Sequence, residues 1–229
     1  MLSPDEIAAR LEAVRERMRA AARRAGRDTE SVRLVLASKT QPPEAIRAAY
    51  AAGAREFGEN YVQEAIAKRE PLNDLSDLRW HLIGHLQRNK ARLAAASFAM
   101  IQTLDSEALA QALAHAREVP PPPVLIEINL GGETSKSGIA PDAAAALIGA
   151  VRGLVEVRGL MTIPPLGQSA AATRRSFARL RELRDHLAPT CKLALSDLSM
   201  GMSDDFEVAI EEGATIVRIG RAVFGERGK

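Results

Sequence analysis

Eight short apolar runs, each followed by a segment with helical spacing, constrain the fold of this chain more than any other feature. The runs lie near residues 33–39, 54–58, 79–84, 98–103, 123–130, 157–163, 192–196 and 215–219. The helical segments between them include 43–52, 60–69, 89–96, 105–117, 141–152, 169–187 and 204–212. Runs this short, bounded by turn residues, read as parallel strands buried on both faces. Alternation of strand and helix implies right-handed βαβ units and a parallel sheet. Eight repeats in a chain of 229 residues favour closure into a (β/α)8 barrel over an open doubly wound sheet. No G-x-G-x-x-G follows the first strand, so a dinucleotide fold gains no support. Pro120 to Pro123 reads as a stiff connector, and residues 1–229 are expected to form one domain.

An extra helix precedes the barrel. Ser3-Pro4-Asp5-Glu6 combines a capping box with proline at the first helical position. Ile7, Leu11, Val14 and Met18 follow at helical spacing, and Gly26 is a plausible stop. Arg10, Arg15, Arg17, Arg19 and Arg23 form the outward face, read as solvated rather than as a nucleic-acid surface. Composition supports that reading. Aromatic residues make up 3%, leaving few stacking platforms for single strands, and the net charge is only +2. Cys191 is the lone cysteine, which excludes an intrachain disulfide and a cysteine-based zinc site and suits a reducing compartment. No run approaches the roughly eighteen apolar residues of a membrane span, and the N-terminus lacks a signal-peptide pattern. The expected location is the cytoplasm, with no membrane or nucleic-acid partner.

A barrel of this kind places its active site at the carboxyl ends of the strands, often with a phosphate held after strands seven and eight. The residues there are Lys39, Asn60, the Gly84-His85 pair, Asn129, the Met161-Thr162 pair, Ser196 to Ser203, and Gly220. Lys39 ends the run Leu34-Val35-Leu36-Ala37. Desolvation at a strand mouth favours the neutral amine that Schiff-base chemistry needs, while the plain alternative is a lysine reaching for water. In Ser199-Met200-Gly201-Met202-Ser203, Gly201 permits close backbone approach and Ser203 offers a hydroxyl at a helix start. That is either an anion site or a simple helix cap, and Asp204 and Asp205 must point outward for the first to hold. Arg218 lies among β-branched residues. It needs either an acceptor inside the barrel or an acid at the rim. Asn60, three residues before Gln63, reads equally as a capping box. His81 and His85 are four apart without the glutamate of a zinc protease, so a buried, hydrogen-bonded histidine is favoured. Ser135-Lys136-Ser137-Gly138 is a polar loop that either reaches the barrel mouth or stays solvated.

Taken together these segments carry a family resemblance. Ser38-Lys39-Thr40, Phe57-Gly58-Glu59-Asn60-Tyr61-Val62-Gln63-Glu64 and His81-Leu82-Ile83-Gly84-His85-Leu86-Gln87 resemble the pyridoxal-phosphate homeostasis proteins. The match continues through Ser135-Lys136-Ser137-Gly138, Gly159-Leu160-Met161, Ser199 to Asp205 and Arg218-Ile219-Gly220, nearly the whole chain. The resemblance implies the fold-type-III barrel seen in the N-terminal domain of alanine racemase. It implies pyridoxal 5′-phosphate (PLP) as cofactor, held as a Schiff base on Lys39. It also implies that Ser203, Gly220 and the backbone N–H of Arg221 hold the phosphate, that Arg218 faces the pyridine nitrogen, and that Asn60, His81 and Met161 line the ring pocket. One position departs from the family, which commonly has threonine where this chain has Arg221. The side chain there either bonds the phosphate or turns to solvent while its N–H binds.

An arginine at the ring nitrogen disfavours its protonation and weakens the cofactor as an electron sink. The sequence ends soon after strand eight, so the C-terminal β domain of alanine racemase is not expected. Tyr50 and Tyr61 are its only tyrosines. A PLP carrier without evident turnover is therefore expected, monomeric and with apo-enzymes as possible recipients. The alternatives are a small PLP-dependent racemase-like enzyme and a barrel acting on a sugar phosphate.

Overall fold

The computed structural model describes residues 2–116, 120–133, 137–165 and 167–226. Helix α1 (Pro4–Arg24) starts as its sequence dictates: the Ser3 hydroxyl accepts from the Glu6 N–H and the Glu6 carboxylate accepts from the Ser3 N–H. Its apolar stripe of Ile7, Leu11, Val14 and Met18 is buried. On its outer face Arg17 pairs with Glu207, while Arg19 and Arg23 pair with glutamates of α1 itself, as a solvated face should.

The barrel strands are β1 (Arg33–Ala37), β2 (Glu56–Glu59), β3 (Arg79–Leu82), β4 (Met100–Leu104), β5 (Val124–Glu127), β6 (Val157–Met161), β7 (Asp197–Ser199) and β8 (Ile216–Ile219). Between them run α2 (Pro43–Ala51), α3 (Val62–Arg69), α4 (Ala91–Ser97), α5 (Glu107–Ala114), α6 (Ala144–Val151), α7 (Ala170–Cys191) and α8 (Phe206–Glu211). A short α9 (Arg221–Phe224) follows β8. The strands close in sequence order, all parallel, and β8 returns to β1 with Arg218 beside Val35. This is the (β/α)8 barrel with an added N-terminal helix. α1 packs on α2, α8 and α9.

Strand alternation divides the apolar residues into two sets. Leu36, Phe57, Leu82, Ile101, Leu160 and Val217 belong to the large core shared with the helices. Val35, Met100, Leu125, Met161 and Ile216 form a separate small cluster inside the barrel. His81, Gln102, Ser199 and Arg218 share the inward parity of that cluster, and all are buried.

The seventh strand differs from expectation. The apolar stretch 192–196 is not a strand. α7 continues through Pro189 to Cys191, and Lys192 (φ 54°) and Leu195 (φ 41°) take left-handed conformations that no strand can contain. The strand is Asp197–Ser199, whose inward residues are polar and bonded to Arg33, Gln102 and Arg218. Helix α8 likewise begins at Phe206, after Asp205 as its N-cap, and not at Ser203.

Candidate functional site

At the carboxyl ends of the strands a cavity of about 540 Å3 is walled by Lys39, Asn60, Ser203, Arg218, Gly220 and Arg221, among others. These six residues come from the ends of β1, β2, β7 and β8. A second cavity, about 630 Å3, lies by the N-terminal ends of β1 and β2, against α1, with Arg15, Arg33 and Glu56 in its lining. None of the candidate residues lines that one.

Lys39 stands just past the end of β1, where the Ser38 N–H still bonds to the Gly58 carbonyl and extends the ladder by one residue. Asn60 does not cap α3. That helix is capped at Tyr61 without a side-chain hydrogen bond, so the Asn60 side chain is not taken up in helix structure and lines the cavity instead. Tyr61 itself is exposed, and Tyr50 bonds Asp77; neither tyrosine lines the cavity.

The loops after β7 and β8 meet at one corner. Gly201 has φ +96°, and a Cβ there would lie 2.6 Å from the Ala209 Cβ, so only glycine lets the loop fold back on α8. At Gly220 a Cβ would come 2.9 Å from the Ala37 carbonyl oxygen. The missing side chain lets the end of β8 lie close against β1. The Ser203 hydroxyl accepts from the Ala222 N–H at 3.2 Å, which ties the two loops together. Of the two aspartates, Asp204 is exposed and pairs with Arg221. Asp205 does not point outward as the anion reading required, but it is not among the residues lining the cavity either. Its carboxylate turns back to accept from the Met202 N–H at 2.7 Å, and burial pushes its pKa up. The Arg221 side chain bonds Asp204 and lies 3.5 Å from Glu226, so it is engaged at the rim.

Arg218 is buried, and its hydrogen bonds among the described residues go to uncharged groups, the Ser199 hydroxyl and the Thr162 carbonyl at 2.9 Å. It is therefore not a rim arginine in a hydrogen-bonded acid pair. Desolvation lowers its pKa to about 10, against the opposing influence of Glu127 and Asp205, so it stays a cation at neutral pH.

His81 and Met161 are not on the cavity wall. Met161 is fully buried in the interior cluster. His81 Nδ1 accepts from the Gln102 side-chain N–H (3.0 Å), and its Nε2 lies 3.5 Å from Glu56. Burial lowers its pKa to about 3, so it is neutral. His85 is half exposed beside Asp105, and no group of metal-ligating residues exists among the described residues. Ser135 and Lys136 of the polar loop lie outside the described residues. Sequence reasoning missed Glu127, a barrel carboxyl that burial raises to about 7, and Lys68, a lysine buried behind β1 and β2. The only sequence signal for either was a charge at a position that the helical or strand period turns inward.

The family model described as alanine racemase, N-terminal domain, matches residues 9–228. A pyridoxal phosphate homeostasis protein of Pseudomonas aeruginosa is 49% identical over 225 residues, 96% of this chain and 96% of that protein. PipY of Synechococcus elongatus, solved with PLP bound, superposes with a TM-score of 0.86 at 42% identity, covering 96% of this chain and 100% of that one. Alanine racemase from Corynebacterium glutamicum, at 20% identity, TM-score 0.69 and 62% of its own length, shares the fold.

Proposed function

The chain belongs to the alanine racemase N-terminal-domain family and, within it, to the pyridoxal phosphate homeostasis proteins; from that membership we propose that it holds PLP as a Schiff base on Lys39 and contributes to vitamin B6 homeostasis without turnover of its own. The observation that carries this reading is the meeting of Lys39 with Ser203, Gly220 and Arg221 on one cavity wall. The cavity is of the size that small cofactors occupy. Bound there, PLP supplies an aldehyde that condenses with a primary amine, forming a C=N bond and releasing water.

The residues fit such a group. The backbone at Gly220, the Ser203 hydroxyl and the Arg221 N–H, all on the cavity lining, suit a phosphate, whose charge backbone donors accommodate well. Arg218 presents a cation to the ring, and Asn60 lines the same wall. His81 and Met161 support the pocket from beneath. They shape the barrel interior that carries Arg218 rather than touching the ring.

Absence of turnover rests on what surrounds Lys39. A racemase needs an acid–base group on each face of its substrate. The tyrosines are elsewhere, and a buried permanent cation at the ring nitrogen disfavours protonation there. The protein is proposed to act as a monomer, with apo-enzymes as recipients of the cofactor. Borohydride reduction after incubation with PLP, followed by peptide mapping, is expected to place a phosphopyridoxyl group on the peptide containing Lys39. Labelling only at other lysines contradicts the assignment. A parallel racemisation assay with common amino acids is expected to show no turnover above free PLP. Sustained turnover would establish the racemase-like alternative.

A further inference from the structure

Behind Lys39, on the face of the barrel turned toward α3, lies a buried charged cluster where the neighbouring positions are apolar. Lys68 is 7% exposed and Glu59 and Ser38 are fully buried. The Lys68 ammonium donates to the Ser38 carbonyl (2.8 Å), to Glu59 Oε1 (2.8 Å) and to Glu64 Oε1 (2.6 Å), which uses all three of its protons. The Ser38 hydroxyl donates to Glu59 Oε1 at 2.7 Å. The Thr40 N–H donates to Glu64 Oε1 at 2.5 Å. Replacing buried ion pairs by apolar residues is often neutral or stabilising, so such a cluster is poorly explained as a source of stability. Its bonds converge on one place.

The Ser38 carbonyl belongs to the peptide group before Lys39, and the Thr40 N–H belongs to the peptide group after it. The cluster grips both. Thr40 has φ +65°, a left-handed conformation that a β-branched residue adopts only when its surroundings impose it. Two peptide planes fixed in this way set φ and ψ of Lys39, and so the direction in which its side chain leaves the backbone.

We propose that Lys68, Glu59 and Glu64 are positioning residues that aim Lys39 into the cavity, with Glu64 holding the strained Thr40 peptide. The proposal rests on the assignment of Lys39 as the PLP-bearing residue. Aiming the amine should matter for bond formation at the aldehyde and not for recognition of the phosphate, which is held on the opposite loops.

The test compares two ligands. PLP reports binding together with Schiff-base formation, and pyridoxine 5′-phosphate, which has an alcohol in place of the aldehyde, reports the pocket alone. Glu64→Ala is expected to weaken PLP binding and slow appearance of the borohydride-trapped adduct on the order of tenfold or more. Its affinity for pyridoxine 5′-phosphate should stay within about twofold, since no phosphate contact is lost. Glu64→Gln, which keeps an acceptor for the Thr40 N–H, should restore most of the loss. Glu64→Asp, which withdraws the carboxylate by one methylene and whose fold is checked by circular dichroism, should move in the same direction as alanine. Equal loss of both ligands, or unchanged adduct formation in Glu64→Ala and Glu64→Asp, overturns the proposal. If the wild-type protein binds pyridoxine 5′-phosphate but traps no PLP on Lys39, the assignment of Lys39 falls first and takes this inference with it.

Discussion

Arg218 and His81 show how much of a single residue's role follows from its sequence neighbours. Arg218 stood out because a guanidinium among β-branched residues must find an acceptor, and it does so inside the barrel. Lys39 stood out for the same reason, a charge at the end of an apolar run. Strand parity turns His81 inward, but parity says nothing of depth, and His81 is buried against Gln102 without being among the residues that line the cavity. Its burial has a consequence for acid stability. The folded His81 resists protonation down to about pH 3, whereas an unperturbed histidine takes up its proton near 6.5. Between those values the unfolded chain binds more protons, so stability is lost as pH falls through that window. Glu127 acts with the opposite sign. Raised to about 7, it contributes stability at low pH that disappears as pH rises from its ordinary 4.5 through 7. Urea unfolding of wild type and His81→Asn at a series of pH values checks the first effect. The variant is expected to start less stable at neutral pH by about 1–3 kcal/mol, having disturbed a buried hydrogen bond. It should lose less between pH 6.5 and 3; parallel pH profiles would contradict the account.

At the scale of elements, α1 and seven of the eight strands lie close to where apolar periodicity places them, because their outward faces are mainly apolar, with Glu59, Thr103 and Arg158 as exceptions. β7 was displaced because its inward residues, Asp197 and Ser199, are polar, while the run before it is an irregular connection that buries Leu195 in the core and packs Leu193 against it. The signals for that connection were weak. Pro189 falls in the last turn of α7, where the helix tolerates it, and Lys192 ends the helix in a left-handed conformation (φ 54°, ψ 45°) usually left to glycine. This position carries a prediction. Lys192→Gly removes the left-handed penalty and partly offsets it with unfolded-chain entropy, for a net gain of up to about 1 kcal/mol. The urea midpoint should rise with the slope unchanged. A lower midpoint would show that Lys192 is not strained. The capping alternative for Asn60 failed for a related reason: a capping-box pattern does not reveal that α3 begins one residue later, at Val62.

For the whole molecule, the barrel is what unites residues distant in the chain. Lys39 and Ser203 are separated by most of the sequence, yet closure of β8 onto β1 sets the loops after them around one cavity. That much was legible as soon as eight repeats implied a closed sheet, since the position of the phosphate loops follows from topology. The supports were not legible. Lys68, Glu59 and Glu64 act from outside the barrel wall, and their convergence on the peptides of Lys39 depends on how α3 packs against β1 and β2. The central claim is that this barrel carries PLP covalently on Lys39, and an absorption spectrum tests it most directly. Purified wild-type protein incubated with PLP is expected to show a band near ~420 nm from the Schiff base, removed by borohydride and absent from Lys39→Ala. A wild-type protein that stays colourless at that wavelength after incubation, or a Lys39→Ala variant with the same band, would contradict it.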